Sequence, residues 1–366
     1  MDNNSKTIFY PNPQRKPNGS LQGGYNGGQK QQWRGNQSNK NCREQAIRGD
    51  KCGNLGLLFT RRYFEELTIS LVEKIDKEID KDKFKAQQNA QSDYYKERNN
   101  NLIRQAKSIQ EPKGIKSNEE DDCISQLRLV TSYPGLLIGT GILHSTGHLG
   151  ETKLGLMFDH TTGLPYLPGS SVKGLLRSMF PLRDIETAKK CIAQAQKEKD
   201  KEEKDKLLRK AEALKKQADE KRLLIAEWLN DEKFTKDMVD DLERSIFDGV
   251  EYGIDEKTGK IGPVHIPQRD IFFDSFPTKA GEHGLLGLDY ITPHKDEFKN
   301  PKPIQFLRIE PEVEFRFEFR LRDSMKHGAI MCRKDQKETL FRKILTTVGI
   351  GAKTNVGYGQ LKEAPE

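Results

Sequence analysis

In the stretch GIGAKTNVGYGQL, two G-x-G pairs flank Lys353, Thr354 and Asn355. Glycines such as Gly349, Gly351 and Gly357 let one backbone pass close to another and turn N–H groups outward as a nest for an anion. Lys353 adds charge, Thr354 and Asn355 add neutral donors, and Tyr358 adds an aromatic face. That mixture suits a sugar-phosphate chain better than a single nucleotide. It is equally the composition of a glycine-rich turn packed against a sheet, and the residues alone leave both readings open. Two nucleotide loops are excluded. Ala352 separates Gly351 from Lys353, which breaks the G-x4-G-K-[ST] spacing. The third glycine of a dinucleotide fingerprint is misplaced, and no βαβ unit follows it.

A second constellation is PGSSVKG, in which Ser170 and Lys173 stand three apart with Arg177 one turn later. Ser-x-x-Lys matches serine acylases, but their S-D-N and K-T-G elements are missing. A helix start whose N–H groups, Ser170, Ser171, Lys173 and Arg177 meet a phosphate uses the same residues with fewer parts. A third is HSTGHLGETKLGLMFDH, with His144, His148, His160 and Asp159. Gly147 and Gly150 interrupt it, so no helix sets His144 and His148 on one face for a metal. His144 could serve as the base in metal-free RNA cleavage; a polar ligand- or subunit-contacting loop is the other reading. Asp274 and Asp289 are lone acids without two-metal spacing. The sequence therefore predicts no metal and no cofactor.

The elements that must position these groups belong to a chain of 366 residues, 34% hydrophobic and 32% charged, with a net charge of +7. Such a surplus favours a polyanionic partner without requiring one. Five scattered cysteines without a C-x-x-C predict free thiols rather than a disulfide framework or zinc knuckle. The polar N-terminus and the absence of a long apolar run predict no signal peptide, no membrane span and a cytoplasmic protein.

Residues 1–50 are rich in Gly, Asn and Gln and read as a disordered basic arm in which Tyr25, Trp33 and Arg34 stand ready to stack on bases, or as a plain solvated tail. Residues 51–122 read as a helical segment, with apolar helical steps from Leu57 to Ile79 and a further helix near Asp93–Ile109. Residues 123–366 read as the core. There, 126–143 is a strand broken by Pro-Gly, and 162–180 is a turn and a helix capped by Ser170 or Ser171. A charged helix or helix pair is inserted at about 185–230. In VEFRFEFRL, 313–321, apolar and charged residues alternate without fault, which predicts one buried and one wet face. DIFFDSF, 270–276, is its predicted partner strand, and 337–351 a helix ended by Gly349 or Gly351. The sum is an α+β fold, an antiparallel sheet with helices on one face.

NLGLLFTRRYF, GTGILHSTGHLG, GLPYLPGSSVKGLLRSMF, IFFDSFP, RIEPEVEFRFEF and the glycine loop occur in an order that resembles the RAMP superfamily of CRISPR proteins, and within it the type III-B effector subunits. The resemblance covers roughly 52–70, 126–182 and 246–361. It implies a modified RRM, or ferredoxin-like, sheet with large helical insertions, stacked in a filament along a guide RNA whose backbone it grips. The implied RNA-binding residues are Ser170, Ser171, Lys173, Arg177, Gly349, Gly351, Lys353, Thr354, Asn355, Gly357 and Tyr358. The implied partners are the guide (CRISPR) RNA, through it the target RNA, and neighbouring subunits: the repeated backbone subunit, the small helical subunit and the first subunit. Nothing here aligns with the cleaving aspartate of the backbone subunit, so the chain is expected not to be an enzyme. A metal-independent ribonuclease using His144 is the alternative. The RNP1 pattern of an ordinary RRM is missing, which argues against base stacking on the sheet face.

Overall fold

A computed structural model describes residues 53–73, 75, 77–115, 124–139, 148, 150–152, 156–254, 261–266, 269–292 and 303–365. The arm at 1–50 and His144 lie outside the described residues. Helices α1 (Leu55–Thr60), α2 (Ile69–Val72) and α3 (Lys81–Ser108) precede strand β1 (Ile124–Thr131). Then come α4 (Gly169–Ser178), α5 (Leu182–Ala195), α6 (Lys201–Leu229) and α7 (Val239–Glu243), which runs into a π-turn at Arg244–Asp248. Strands follow: β2 (Val250–Ile254), β3 (Ile261–His265), β4 (Ile271–Phe272), β5 (Phe276–Lys279), β6 (Leu286–Ile291), β7 (Ile304–Ile309), β8 (Glu314–Arg320), β9 (Ser324–Lys326) and β10 (Ala329–Cys332). Helix α8 (Lys334–Val348) and strand β11 (Leu361–Glu363) bracket the glycine loop.

The fold is α+β. Its main sheet is antiparallel, in the order β11-β1-β8-β4, with β5 continuing β4 along β8. A second sheet runs β10-β9-β2-β3, and β6 and β7 form a hairpin. Alternation dictates what the main sheet buries. Leu127 and Leu129 lie opposite Phe317 and Phe315, and all four are buried. Phe319 continues the row and meets Phe341 of α8 at 5.4 Å, while Phe272 of β4 stacks on Phe247 at 5.8 Å. Helices α4 and α8 thus cover this face, with Val172, Leu176, Leu340, Phe341 and Ile344 in the core.

The opposite face corrects one expectation. Arg320 is exposed, but Arg316 and Glu318 are buried and ion-paired at 3.0 Å. The chain at 110–115 crosses this face. Arg316 donates to the Ile115 carbonyl, Gly114 presses on the Phe276 ring, and Tyr166 stacks on that ring at 5.7 Å. A strand at the centre of a sheet can have both faces covered, and buried charges are then retained by pairing.

The other elements follow local chemistry. Helix α3 begins earlier than the apolar pattern predicts, at an Asp80 cap that accepts from the Lys83 amide, 2.9 Å. The 185–230 insertion is a helix pair, α5 and α6, pinned by Lys221–Asp184 (2.6 Å) and Arg222–Asp240 (2.8 Å). No helix among the described residues is long and apolar enough to cross a membrane.

Under the main sheet, Lys337 of α8 and Asp270 are fully buried and bonded at 2.6 Å. Burial pushes the Asp270 carboxyl up, and the Lys337 ammonium opposes it. Removing one partner of such a pair strands the other charge. Lys337→Met is expected to cost about 3–5 kcal/mol in urea unfolding, and the double variant with Asp270→Asn to recover most of it. Equal losses in single and double variants would contradict the pairing.

Candidate nucleic-acid interface

The glycine loop is built as a turn that presents only its middle. The Ile350 amide donates to the Gly359 carbonyl (2.8 Å), closing the loop's neck. The Ala352 amide donates to Leu137, and the Gly359 amide to Gly135, both at 2.8 Å. These bonds fasten the loop to the 132–137 turn that follows β1. Two glycines are obligatory. Gly351 has φ +99° with the Leu137 carbonyl where a Cβ would stand, and Gly359 has φ +78° with the Ile350 carbonyl there. The amides offered to an anion by the sequence pattern are thus partly spent inside the chain. Gly349 caps α8, its amide bonded to Leu345 at 3.1 Å, and Gly357 turns at φ +96° beside Pro134.

Between the glycines, Thr354–Val356 makes a single helical turn, with Lys353 in the left-handed region at φ 59°. Asn355 is exposed, Lys353 and Thr354 are half-buried, and Val356 is exposed. Tyr358 corrects the stacking expectation. Its ring is buried edge-on to Phe306 (6.0 Å), and its hydroxyl donates to Asp289 at 2.6 Å. Burial, with the Asp289 carboxylate beside it, raises its pKa. The open aromatic face at this corner is Tyr133, 82% exposed in the turn to which the loop is tied. Sequence reasoning missed it. The signal was an aromatic residue at a Pro-Gly turn, but nothing local showed that the glycine loop lands beside it.

The α4 helix start differs from its expectation. Pro168, not Ser170 or Ser171, occupies the cap position, and Asp274 supplies the side chain, accepting from the Gly169 amide at 2.7 Å. Gly169 lies against the Phe272 carbonyl, which fixes where the chain turns into the helix and leaves both serines exposed in its first turn. An acid already faces the helix dipole here. Lys173 donates to the Phe247 carbonyl at 2.7 Å, and burial lowers its pKa, aided by Arg269 and Arg177. Arg177 grips Asp248 with two bonds of 2.8 Å and Glu243 at 3.3 Å. Both cations staple α4 to the π-turn. The structure therefore gathers Lys353, Thr354 and Asn355 with Tyr133 at one corner, and directs Lys173 and Arg177 inward at another.

His148 bonds the Tyr95 hydroxyl through Nδ1 at 3.2 Å, and Asp159 accepts from the Thr162 amide at 2.6 Å. Among the described residues no group of three or more His, Cys, Asp or Glu could hold a metal ion. Cys191 and Cys332 are free and buried, and burial pushes the Cys332 thiol up to about 12.

A family model, the RAMP superfamily, matches residues 128–362. A Pyrococcus furiosus protein, CRISPR system Cmr subunit Cmr6, is 26% identical over 58% of this chain, which spans 62% of that relative's length. A chain of the type III-B Cmr-beta assembly bound to cognate target RNA, solved by cryo-EM, is 17% identical over 84% of each chain, with a TM-score of 0.38. The crystal structure of Cmr6 from Pyrococcus furiosus is 19% identical over 67% of this chain and 99% of that one, with a TM-score of 0.34. These last two likenesses are too loose to transfer positions from one chain to another.

Two tests follow from the geometry. Gly359→Ala forces a Cβ onto a carbonyl at positive φ and is expected to cost more than about 1 kcal/mol from the backbone alone, whereas Asn355→Ala stays within about 0.5 kcal/mol; thermal unfolding compares them. Glu243 also accepts from the Leu182 amide at 2.9 Å. Burial, against that amide and Arg177, pushes its carboxyl from 4.5 up to about 7. An acid raised on folding contributes fully below its unfolded value and loses that contribution as pH rises through the folded value. Glu243→Gln is therefore expected to gain stability on the parent between about pH 5 and about pH 8, by up to about 3 kcal/mol. A difference that stays flat with pH would contradict this.

Proposed function

Because the chain belongs to the RAMP superfamily, we propose that it is a non-catalytic subunit of a type III-B CRISPR RNA-guided effector complex in antiviral defence, the counterpart of the sixth subunit. It binds the guide backbone and caps the filament near the guide's 3′ side. Its neighbours are the repeated backbone subunit, the small helical subunit and the first subunit. The observation that carries this reading is the loop corner. Glycines that cannot be replaced close a loop that carries half-buried Lys353 and Thr354 and exposed Asn355, and that loop is tied to the turn bearing the exposed ring of Tyr133. A cation, two neutral donors and an aromatic face are what a single strand needs when it is held without regard to sequence. The net charge of +7 agrees with binding through phosphates. Target sequence is then read by base pairing with the guide, not by this chain.

Tyr133→Ala is expected to weaken guide RNA retention by about 1–3 kcal/mol, the usual worth of one base on an aromatic ring. Lys353→Glu is expected to weaken it further at low salt than at high salt. Filter binding with the purified chain and pull-down of guide RNA with the assembled complex both read this. Retention unchanged in both variants would remove the loop corner as the interface. Incubation with repeat RNA in chelator should give no specific cleavage. Cuts that disappear in His144→Ala would replace the non-catalytic reading with a metal-independent ribonuclease.

A further inference from the structure

A cleft of about 540 Å³ opens between the second half of α3 and the β6–β7 hairpin. Its floor includes Ile103 and Leu288, both half-buried. Arg104 and Lys107 stand exposed on its rim. The hairpin sits tight on the helix because Gly284, at φ +96°, lies against the stem of Lys107 with no room for a side chain. Glu310 is the acid in the lining, and Arg308 already pairs with it at 3.2 Å. Neither Arg104 nor Lys107 has a carboxylate partner among the described residues; Arg104 holds the Asn101 side chain at 2.8 Å. The cleft thus combines an apolar floor with a surplus of positive charge at its mouth.

Arg308 joins this cleft to the loop corner. Its Nη1 donates to the Pro134 carbonyl (2.8 Å), next to Tyr133, and to Asp289 (2.9 Å), the carboxylate that also receives the Tyr358 hydroxyl. One arginine therefore lines the cleft and braces the turn that carries the exposed aromatic ring.

We propose that the cleft is a nucleotide subsite: a base lies on the Ile103–Leu288 floor while its phosphate meets Arg104 and Lys107, continuing the strand that crosses Tyr133 and Lys353. The volume is that of a small-molecule pocket, and its lining sets a short apolar strip among polar and charged side chains. An acidic protein segment would match the charge as well, but the bridge through Arg308 places the cleft beside a surface with the chemistry of a single-strand platform. This subsite rests on the reading of the loop corner as an RNA surface, so its test must report on the two separately.

Photo-crosslinking of the full chain to single-stranded RNA carrying 4-thiouridine, mapped by mass spectrometry of the peptides, does so. Crosslinks are expected within 100–107 or 286–288 as well as at Tyr133 or 353–358. Arg104→Glu with Lys107→Glu changes two exposed side chains. It should abolish the first set, keep the second, and weaken binding about tenfold or more near 0.1 M salt. Crosslinks at the loop alone would overturn the subsite and leave the loop reading standing. Crosslinks in the cleft alone would keep the subsite and overturn the loop reading, and their absence from both would overturn both. Unchanged RNA affinity in the double variant, with loss of another subunit from the assembled complex, would assign the cleft to an acidic protein segment instead.

Discussion

Seven consecutive antiparallel pairings between β1 and β8, from Ile124 opposite Arg320 to Val130 opposite Glu314, hold the molecule's frame. A slip of one residue would turn Phe315, Phe317 and Phe319 away from α8 and bring Arg316 and Glu318 beneath it. The glycine loop depends on the same register. It is tied to the turn that leaves β1, and it ends in β11, which pairs with β1 at Leu129, Val130 and Thr131. The corner that carries Lys353 and Tyr133 is therefore set by the sheet as well as by the loop's own residues.

Charged groups finish what the apolar row begins. Lys337–Asp270 fixes α8 beneath the sheet, and Arg177 with Glu243 and Asp248 fixes α4 to the π-turn. Glu251 receives Arg322 at 2.6 Å, Ser245 at 3.0 Å and the Met325 amide at 2.9 Å, locking the second sheet against the π-turn. Buried ions of this kind contribute little net stability against apolar replacements. They do penalise any arrangement that leaves one of them unpaired.

The fold class, the strand at 314–320, a partner read over 270–276 that is two short strands, Ile271–Phe272 and Phe276–Lys279, and the helix before the glycine loop were legible because each shows its period or its stop signal locally. What escaped depends on residues far away in the chain. The start of α3 was missed because the one buried residue between Lys81 and the predicted start at Asp93 is an amide, Gln91. That side chain is held by a specific hydrogen bond, donating to the Leu71 carbonyl at 2.6 Å, which hydropathy cannot register. The wet face assigned to β8 is covered by chain from 110–115, and periodicity reports on one strand alone. Tyr358 read as a free ring because Asp289 and Phe306 lie dozens of residues upstream. Tyr133 was passed over for the converse reason, as its meaning comes from the loop that packs beside it.

The α5–α6 pair meets the rest of the chain mainly at one end. Along α6 the buried residues Ile225 and Leu229 belong to the central core, whereas Ala211 packs with Ala188 and Cys191 of α5 in a separate small cluster. A helix of 29 residues extends about 43 Å, so its first turns form a two-helix stalk whose interior is self-contained. Lengthening or trimming that stalk by whole turns, from both helices together, would leave the sheet and the loop corner undisturbed. The same frame can thus tolerate wide variation in the reach of this projection.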